Sequence, residues 1–205
     1  MLSFFAFAVV ALLAAVSPGP DFLVVSKNSI AHSRKAGVWT AIGVGAALLV
    51  HVTYTLVGIG FIISQSILLF SIIKILGAIY IIWLGVSILM SKGGHEIALP
   101  EQEATYKSPT AAFREGFLTN VLNPKATIFF VSIFTQFVSP ELPKIVQAAY
   151  GLEVAFIVMV WFVTLAFMLT IPLVQRKFGT IQSKLMKIMG VALIAFGVKV
   201  AFSDR

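Results

Sequence analysis

Apolar residues fill most of this chain in long runs, and the polar residues fall in short groups between them. A helix that spans a bilayer needs about 20 predominantly apolar residues, and six segments reach that length. The pattern therefore predicts an all-α integral membrane protein with six transmembrane helices. The predicted spans are about Ser3–Ile30, Val38–Ile62, Ile67–Met90, Phe113–Val138, Ile145–Val174 and Lys184–Phe202.

Two of the predicted spans are interrupted by proline. The first is broken at Ser17–Asp21 (SPGPD) and the fourth at Asn123–Lys125 (NPK). Proline lacks a backbone N–H and clashes with the preceding turn, so a helix does not pass through either group unbroken. In a bilayer, the freed backbone groups are tolerated only where they are buried in protein or line a watery cavity. We therefore interpret the rest of the chain as a frame that holds the two breaks face to face.

Composition excludes a soluble domain. Of the 205 residues, 59% are hydrophobic and 11% are charged, whereas soluble domains carry about 25% charged residues. The net charge of +7 would suggest nucleic acid in a soluble protein, but here the basic residues cluster at span ends, where membrane topology explains them. We expect a lipid bilayer and no nucleic acid as partner. Without cysteine there is no disulfide and no thiolate metal site, and we expect neither a metal nor a cofactor.

The distribution of lysine and arginine predicts the orientation. Ten of them follow spans one, three and five, four lie on the opposite side, and Lys125 is left at mid-depth. The positive-inside rule then places the polar 91–112 linker in the cytoplasm and both termini outside. The ten are Lys27, Arg34, Lys35, Lys92, Lys107, Arg114, Arg176, Lys177, Lys184 and Lys187, and the four are Lys144, Arg205, Lys74 and Lys199.

The two halves of the chain resemble each other. Lys74–Ala78 (KILGA) is similar to Lys187–Val191 (KIMGV) at an offset of 113, and Pro18 precedes Pro124 by 106. Three spans per half is an odd number, so the halves must be inverted relative to each other. Inverted repeats with a broken first helix in each half are typical of secondary transporters, whose site lies between the repeats near the midplane. The predicted divisions are a first repeat at 1–90, the linker at 91–112 and a second repeat at 113–205.

A half-helix begins after each break, and a helix N-terminus is a ready anion site. Asp21 suits the N-terminus that follows it, whereas Lys125 in a first turn is unfavourable by up to about 1 kcal/mol, which a bound carboxylate would offset. The pair therefore predicts a site for a zwitterion, with its ammonium on Asp21 and its carboxylate on Lys125. The alternative is that the two residues neutralise each other and the prolines merely kink the helices. The predicted substrate-binding residues are Asp21, Lys125, Asn123, Pro124, Asn120, Ser17, Pro18, Gly19 and Pro20.

Three residues are candidates for proton coupling: Asp21, Glu153 and His51. Ionisable groups inside a membrane are expensive and usually functional, and histidine relays protons near neutral pH. Two alternatives stay open. His51 is equally well explained as hydrogen-bonded to a neighbouring helix, and Glu153 as reaching the outer interface or pairing with Lys144.

The sequence SPGPDF at 17–22, with GFLTN at 116–120 and NPKA at 123–126, resembles the LysE/Rht family of amino-acid exporters over essentially the whole chain. The resemblance implies a small multi-pass carrier of the bacterial inner membrane that exports amino acids, driven by the proton gradient. The residues of these motifs are most similar to those of the homoserine/threonine-type branch of the family. The implied partners are an amino-acid substrate and protons, and the implied function is transport rather than catalysis.

Two other readings stay open. A metal or inorganic-ion exporter on the same scaffold would need oxygen or imidazole ligands, for which Asp21 and His51 are the only nucleus. A membrane enzyme or assembly subunit would need a reason in the sequence, and we find no nucleophile–base pair and no phosphate loop. The exported amino acid and the oligomeric state, with a homo-oligomer as one outcome, are not decided by the sequence.

Overall fold

The computed structural model describes residues 2–90, 106–139 and 141–201, so most of the predicted linker, 91–105, lies outside the described residues. Within these ranges the regular structure is α-helical, which confirms the predicted class. The helices are α1 (Leu2–Val16), α2 (Pro20–Ala31), α3 (Arg34–Gln65), α4 (Ile67–Met90), α5 (Pro109–Val121), α6 (Pro124–Phe137), α7 (Lys144–Met168) and α8 (Pro172–Ala201).

Three helices contain segments long and apolar enough to cross a membrane: Arg34–Gly58, Ser71–Met90 and Lys144–Met168. Two further spans are broken. The axes of α1 and α2 meet at 62°, and those of α5 and α6 meet at 60°, each at one of the two proline groups. The described residues therefore contain three clear spans and up to five when each bent pair is counted as one.

The last two predicted spans have different bounds in the structure. The fifth was expected to run to Val174, but α7 ends at Met168, and α8 begins at Pro172 rather than at Lys184. Proline is favourable in a first helical turn, and the polar residues that follow it keep a segment out of hydrocarbon without breaking a helix. The predicted connection that carries Arg176 and Lys177 is therefore helical. Within the described residues α8 does not meet the criterion for a span, so a sixth span stays a prediction.

The start of α5 is also earlier than expected, at Pro109 instead of Phe113. Ser108 caps the helix, because its hydroxyl accepts a hydrogen bond from the Ala111 N–H at 3.2 Å. A serine N-cap followed by proline is a favourable helix start. The last four residues of the predicted linker are consequently the first turn of α5.

One end of the bundle, which we call the linker end, is held by polar contacts between α2, α3 and α5. The Glu115 carboxylate accepts hydrogen bonds from Asn28 at 2.8 Å and from Lys27 at 3.4 Å, and it pairs with Lys107. The Asn28 amide also donates to Thr40 on α3 at 2.8 Å. Because α2 runs from the first break to Asn28, its C-terminal half lies in the linker half of the bundle.

The opposite end is held by aromatic contacts. The Phe4 and Tyr150 rings stack with their centroids 3.8 Å apart, and the Phe7 ring meets Phe137 edge-on at 5.3 Å. These contacts join the first turns of α1 to the end of α6 and the start of α7. The breaks therefore lie between the two ends, in the middle of the bundle.

Small residues allow the closest helix approach, between α3 and α5. A Cβ on Gly43 would collide with the Phe113 carbonyl oxygen, and a Cβ on Gly116 would collide with the Thr40 carbonyl oxygen. Backbone atoms do not yield as a flexible side chain does, so this contact requires glycine at both positions. The contact fixes α5, and with it the second break, against the frame.

Candidate functional site

The first break ends α1 and begins α2. The Ser17 hydroxyl donates to the Ala14 carbonyl at 2.7 Å, which closes the last turn of α1. Gly19 is the N-cap of α2, Pro20 follows in the first turn, and Asp21 is the acid beside them. The half-helix that follows the first break therefore starts at Pro20, with Asp21 in its first turn. The carboxylate lies at a helix N-terminus, where the dipole favours negative charge.

The second break begins α6 as the sequence predicts. Asn123 is the N-cap, and its side-chain oxygen accepts a hydrogen bond from the Lys125 N–H at 3.0 Å. Pro124 occupies the first helical position, where its missing N–H would have had no partner. The backbone of α6 therefore starts beside Lys125, and its first turn faces the first break.

Asp21 is held by side chains from the second break. Its Oδ2 accepts hydrogen bonds from the amides of Asn120 and Asn123, each at 3.0 Å. The other carboxylate oxygen, Oδ1, is buried and has no hydrogen-bond partner in the described structure, and the same is true of Asn120 Oδ1. Buried acceptors without partners are costly in a native structure and call for an explanation. Two such atoms in one site indicate a place for a hydrogen-bond donor.

Lys125 reaches back to the first break. Its ammonium donates to the Pro18 carbonyl at 3.0 Å, to the Ser17 carbonyl at 3.4 Å and to the Ser17 hydroxyl. These oxygens follow directly on the C-terminal turn of α1, where the dipole favours a cation. The unfavourable position of Lys125 in the first turn of α6 is therefore offset by α1, whereas the sequence suggested a bound carboxylate.

The two charged residues do not neutralise each other directly. Among the residues that the structure describes, the ion pairs within 4.0 Å join Glu115 to Lys27 and to Lys107, and none joins Asp21 to Lys125. Asp21 is satisfied on one oxygen by amides, and Lys125 is satisfied by carbonyl groups. Each side chain can therefore bind a ligand without first breaking an ion pair with the other.

A cavity of about 60 Å³ lies beside these residues, counted by the positions open to the centre of a water molecule. One water needs about 10–15 Å³ on that count, so several polar atoms fit. Six of the predicted residues line it: Ser17, Gly19, Asp21, Asn120, Asn123 and Lys125. The rest of its wall is apolar and includes Ala11, Phe129, Phe130, Val154, Val158 and Phe162. An apolar cavity with a few convergent polar groups is typical of small-molecule sites. The other predicted residues, Pro18, Pro20 and Pro124, do not line this cavity.

His51 touches the site indirectly. It is fully buried, its Nε2 lies 3.2 Å from the Asn120 carbonyl oxygen, and its Nδ1 is hydrogen-bonded to the Tyr54 hydroxyl. A carbonyl only accepts, so Nε2 donates and supports the backbone of the residue whose side chain holds Asp21. This chain of contacts is compatible with both sequence interpretations, a proton relay and a structural histidine.

Glu153 lies on α7, next to the lining residue Val154, and is not itself part of the cavity wall. Its Oε2 is buried and has no hydrogen-bond partner within the described residues. Lys144, the partner that the sequence suggested, donates instead to Gln147 at 3.3 Å. A role for Glu153 in proton coupling would therefore be exerted from outside the cavity.

The metal interpretation gains no ligand set from the described residues. No three side chains among their histidines and acids converge closely enough to hold a metal ion. One Asp21 oxygen already accepts hydrogen bonds from two amides. Both ring nitrogens of His51 are hydrogen-bonded, one to Asn120 and the other to Tyr54.

Besides the apolar wall of the cavity, sequence reasoning missed a polar contact of the site, Tyr80 on α4. Its hydroxyl donates to the Lys125 carbonyl at 3.3 Å and so supports the first turn of α6. Within an apolar span a tyrosine is indistinguishable from a packing or interface residue, because nothing in the local pattern shows which neighbour its hydroxyl meets. Only the packing of α4 against α6 reveals the contact.

Comparisons with known proteins point to membrane translocators. The family described as LysE type translocator matches residues 12–204. A threonine efflux protein of Salmonella typhimurium is 29% identical over 99% of each chain, and one of Escherichia coli K12 is 28% identical over 99% of each chain. A homoserine/homoserine lactone efflux protein of Salmonella typhimurium is 30% identical over 79% of each chain. No solved structure matches the chain.

Proposed function

Because the chain belongs to the family of LysE type translocators, we propose that it is a secondary active exporter of small amino acids in a bacterial inner membrane. Relatives that cover the chain almost end to end are named for threonine efflux, and another is named for homoserine and homoserine lactone efflux. These names support a threonine- or homoserine-like substrate. The proposed site is the cavity between the two breaks.

One observation carries the proposal: Asp21 Oδ1 and Asn120 Oδ1 are buried acceptors without partners in the lining of one cavity. An α-ammonium group supplies three donors and a positive charge, which suits an ionised carboxylate with an amide oxygen beside it. The substrate carboxylate would then turn toward Lys125 and the N-terminus of α6. This arrangement selects a zwitterion over a simple cation or anion.

The packing of glycines supports an inverted repeat. Gly45 and Gly151 are 106 positions apart, the offset of Pro18 and Pro124. A Cβ on Gly45 would press on Met159, and a Cβ on Gly151 would press on Val52, so α3 and α7 meet in two reciprocal contacts. Reciprocity of this kind is expected across a two-fold axis between repeats. We propose six spans, of which α8 supplies the last.

The α4–α8 contact repeats this reciprocity. A Cβ on Gly85 would meet the Gly190 carbonyl, and a Cβ on Gly197 would meet the Ala78 carbonyl at 3.2 Å. Gly77 and Gly190 were the matched positions of the two KI-containing motifs, and the second glycines, Gly85 and Gly197, follow them. The repeats would thus be joined along α3–α7 and α4–α8, with the broken spans between them.

Transport would proceed by alternating access. The contacts of Glu115 with Asn28, Lys27 and Lys107 bind α2 to α5 across the linker end, and their release would open that end. The surplus of basic residues there supports a cytoplasmic linker with both termini outside. A proton and a substrate ammonium compete for Asp21 Oδ1. Protonation from the outside would therefore release the amino acid, and the returning proton would drive export.

Thermal stabilisation of the purified protein tests the proposed substrate class. A ligand that binds only the folded state stabilises it by about 2.7 kcal/mol at 100 times its Kd, and that raises the melting temperature. We expect threonine or homoserine to raise the melting temperature by several degrees. We expect no change from 2-hydroxybutyrate, which lacks the ammonium, or from threoninol, which lacks the carboxylate. Stabilisation by divalent cations alone would contradict the proposal and favour metal export.

A further inference from the structure

A second, larger cavity of about 450 Å³ lies between the breaks and α4. The proline groups form one wall through Pro18, Pro20 and Pro124, and α4 forms another through Tyr80, Trp83 and Ser87. Gly19 and Lys125 line this cavity and also the cavity that holds Asp21. The proposed substrate site and the second cavity therefore share Gly19 and Lys125 as a common wall.

The second cavity reaches further toward the linker end than the first. The second takes Ser87 and Ile88 from the part of α4 that leads to the linker, and Leu23 from α2, which runs to the linker end. The first takes Ala11 from α1 and Phe129 from α6, whose far ends meet in the aromatic contacts of the opposite end. A molecule that passes from the linker side to the other side would meet the second cavity first.

The Lys125 side chain forms the shared wall. It lies across Gly19 so closely that a Cβ there would be 3.2 Å from Nζ and 3.4 Å from Cδ. Within the described part of the chain, the partners of the ammonium are Ser17 and the Pro18 carbonyl, which are uncharged acceptors. A carboxylate adds the Coulomb attraction of a full negative charge to the hydrogen bond that it accepts from an ammonium, which an uncharged carbonyl does not supply. A substrate carboxylate in the second cavity would therefore draw the ammonium away from α1.

We propose that the amino acid enters from the linker side and binds first in the second cavity. Lys125 is the gate between this cavity and the first one. This inference rests on the proposed function as an amino-acid exporter. The substrate binds first by its carboxylate to Lys125, and the flexible lysine side chain then swings with it across Gly19. In the first cavity, the ammonium of the substrate binds Asp21. The hydrogen bond from Tyr80 to the Lys125 carbonyl holds the backbone while the side chain moves.

Single cysteines test the loading site, because the chain has no cysteine of its own. Ser87→Cys places a thiol in the second cavity, and Val86→Cys is the matched control, since Val86 is 38% exposed on the same helix but does not line the cavity. A membrane-impermeant cationic methanethiosulfonate is applied from the linker side. We expect Ser87→Cys to react at least ten-fold faster than Val86→Cys, and saturating threonine to slow it at least five-fold. Equal rates, or no protection by threonine, would overturn the proposal.

A double variant tests the role of Lys125 as a gate between the two cavities. Ala15→Cys places a thiol in the first cavity, and the Lys125 side chain stands between that cavity and the second one. We expect the reaction to be at least ten-fold faster in Ala15→Cys/Lys125→Ala than in Ala15→Cys alone, and an unchanged rate would overturn the role of Lys125. Threonine exchange by Ser87→Cys is measured in parallel. Exchange without protection at the thiol removes only the loading site, whereas absence of exchange in the wild-type protein removes the proposed function itself.

Discussion

Replacement of Asp21 by asparagine is expected to lower amino-acid exchange at least 100-fold while the protein stays folded. The amide has nearly the same shape, and its oxygen still accepts from Asn120 and Asn123. It then presents an NH₂ group to the cavity where the wild-type protein presents the free Oδ1. Leaving a buried charge without its partner costs about 3–5 kcal/mol, and each 1.4 kcal/mol is tenfold. The initial rate of labelled threonine exchange in proteoliposomes measures the effect.

The matched control for this variant is Glu141→Gln, the same chemical change at an exposed acid. We expect its exchange rate to stay within about two-fold of the wild-type rate, because Glu141 does not line either cavity. Thermal melting of both variants shows whether the fold is retained. Exchange by Asp21→Asn at a rate close to that of the control would show that the carboxylate does not bind the substrate.

Lys125→Met is expected to abolish exchange and also to destabilise the protein. Methionine has a similar length but no charge, so it offers nothing to a substrate carboxylate. It also leaves the oxygens of Ser17 and Pro18 without the donor that they have now. A buried acceptor that loses its partner costs about 1–3 kcal/mol, and this loss should lower the melting temperature by several degrees. Exchange rate and melting temperature are measured on the same preparation.

Lys199→Met is the control for that variant, because Lys199 is exposed on α8 and removes the same charge far from the breaks. It should exchange threonine at the wild-type rate and melt within about one degree of the wild-type protein. A Lys125→Met protein that is destabilised but exchanges normally would leave Lys125 with a structural role only. A stable protein that does not exchange would assign it to the substrate alone.

Much of the fold follows from patterns that act over short distances. A run of about 20 apolar residues has to be a helix in lipid, because only a helix satisfies every backbone group within one segment. Proline groups inside two such runs therefore predict both bends, which the structure shows at 62° and 60°. The start of α8 at Pro172 was missed because apolarity defines the part of a helix that lies in the membrane and does not define where the helix begins.

The site was predictable in its members but not in its contacts. Asp21 and Lys125 stand out as charges inside apolar runs, and both line one cavity. That Lys125 binds the end of α1 and Asp21 binds two asparagines depends on how the broken spans cross, which no local pattern encodes. The second cavity depends on the side of α4 that carries Trp83 and Ser87, and in an all-apolar helix either side is an equally good candidate.

Counterflow in proteoliposomes tests the central claim most directly. Vesicles that contain the wild-type protein are loaded with one unlabelled amino acid at a time, and the uptake of the same labelled amino acid is followed. If the two breaks form a site for a small zwitterion, threonine or homoserine will exchange well above protein-free vesicles, and threoninol will not exchange. If no amino acid of the full set exchanges, the assignment of this chain as an amino-acid exporter is contradicted.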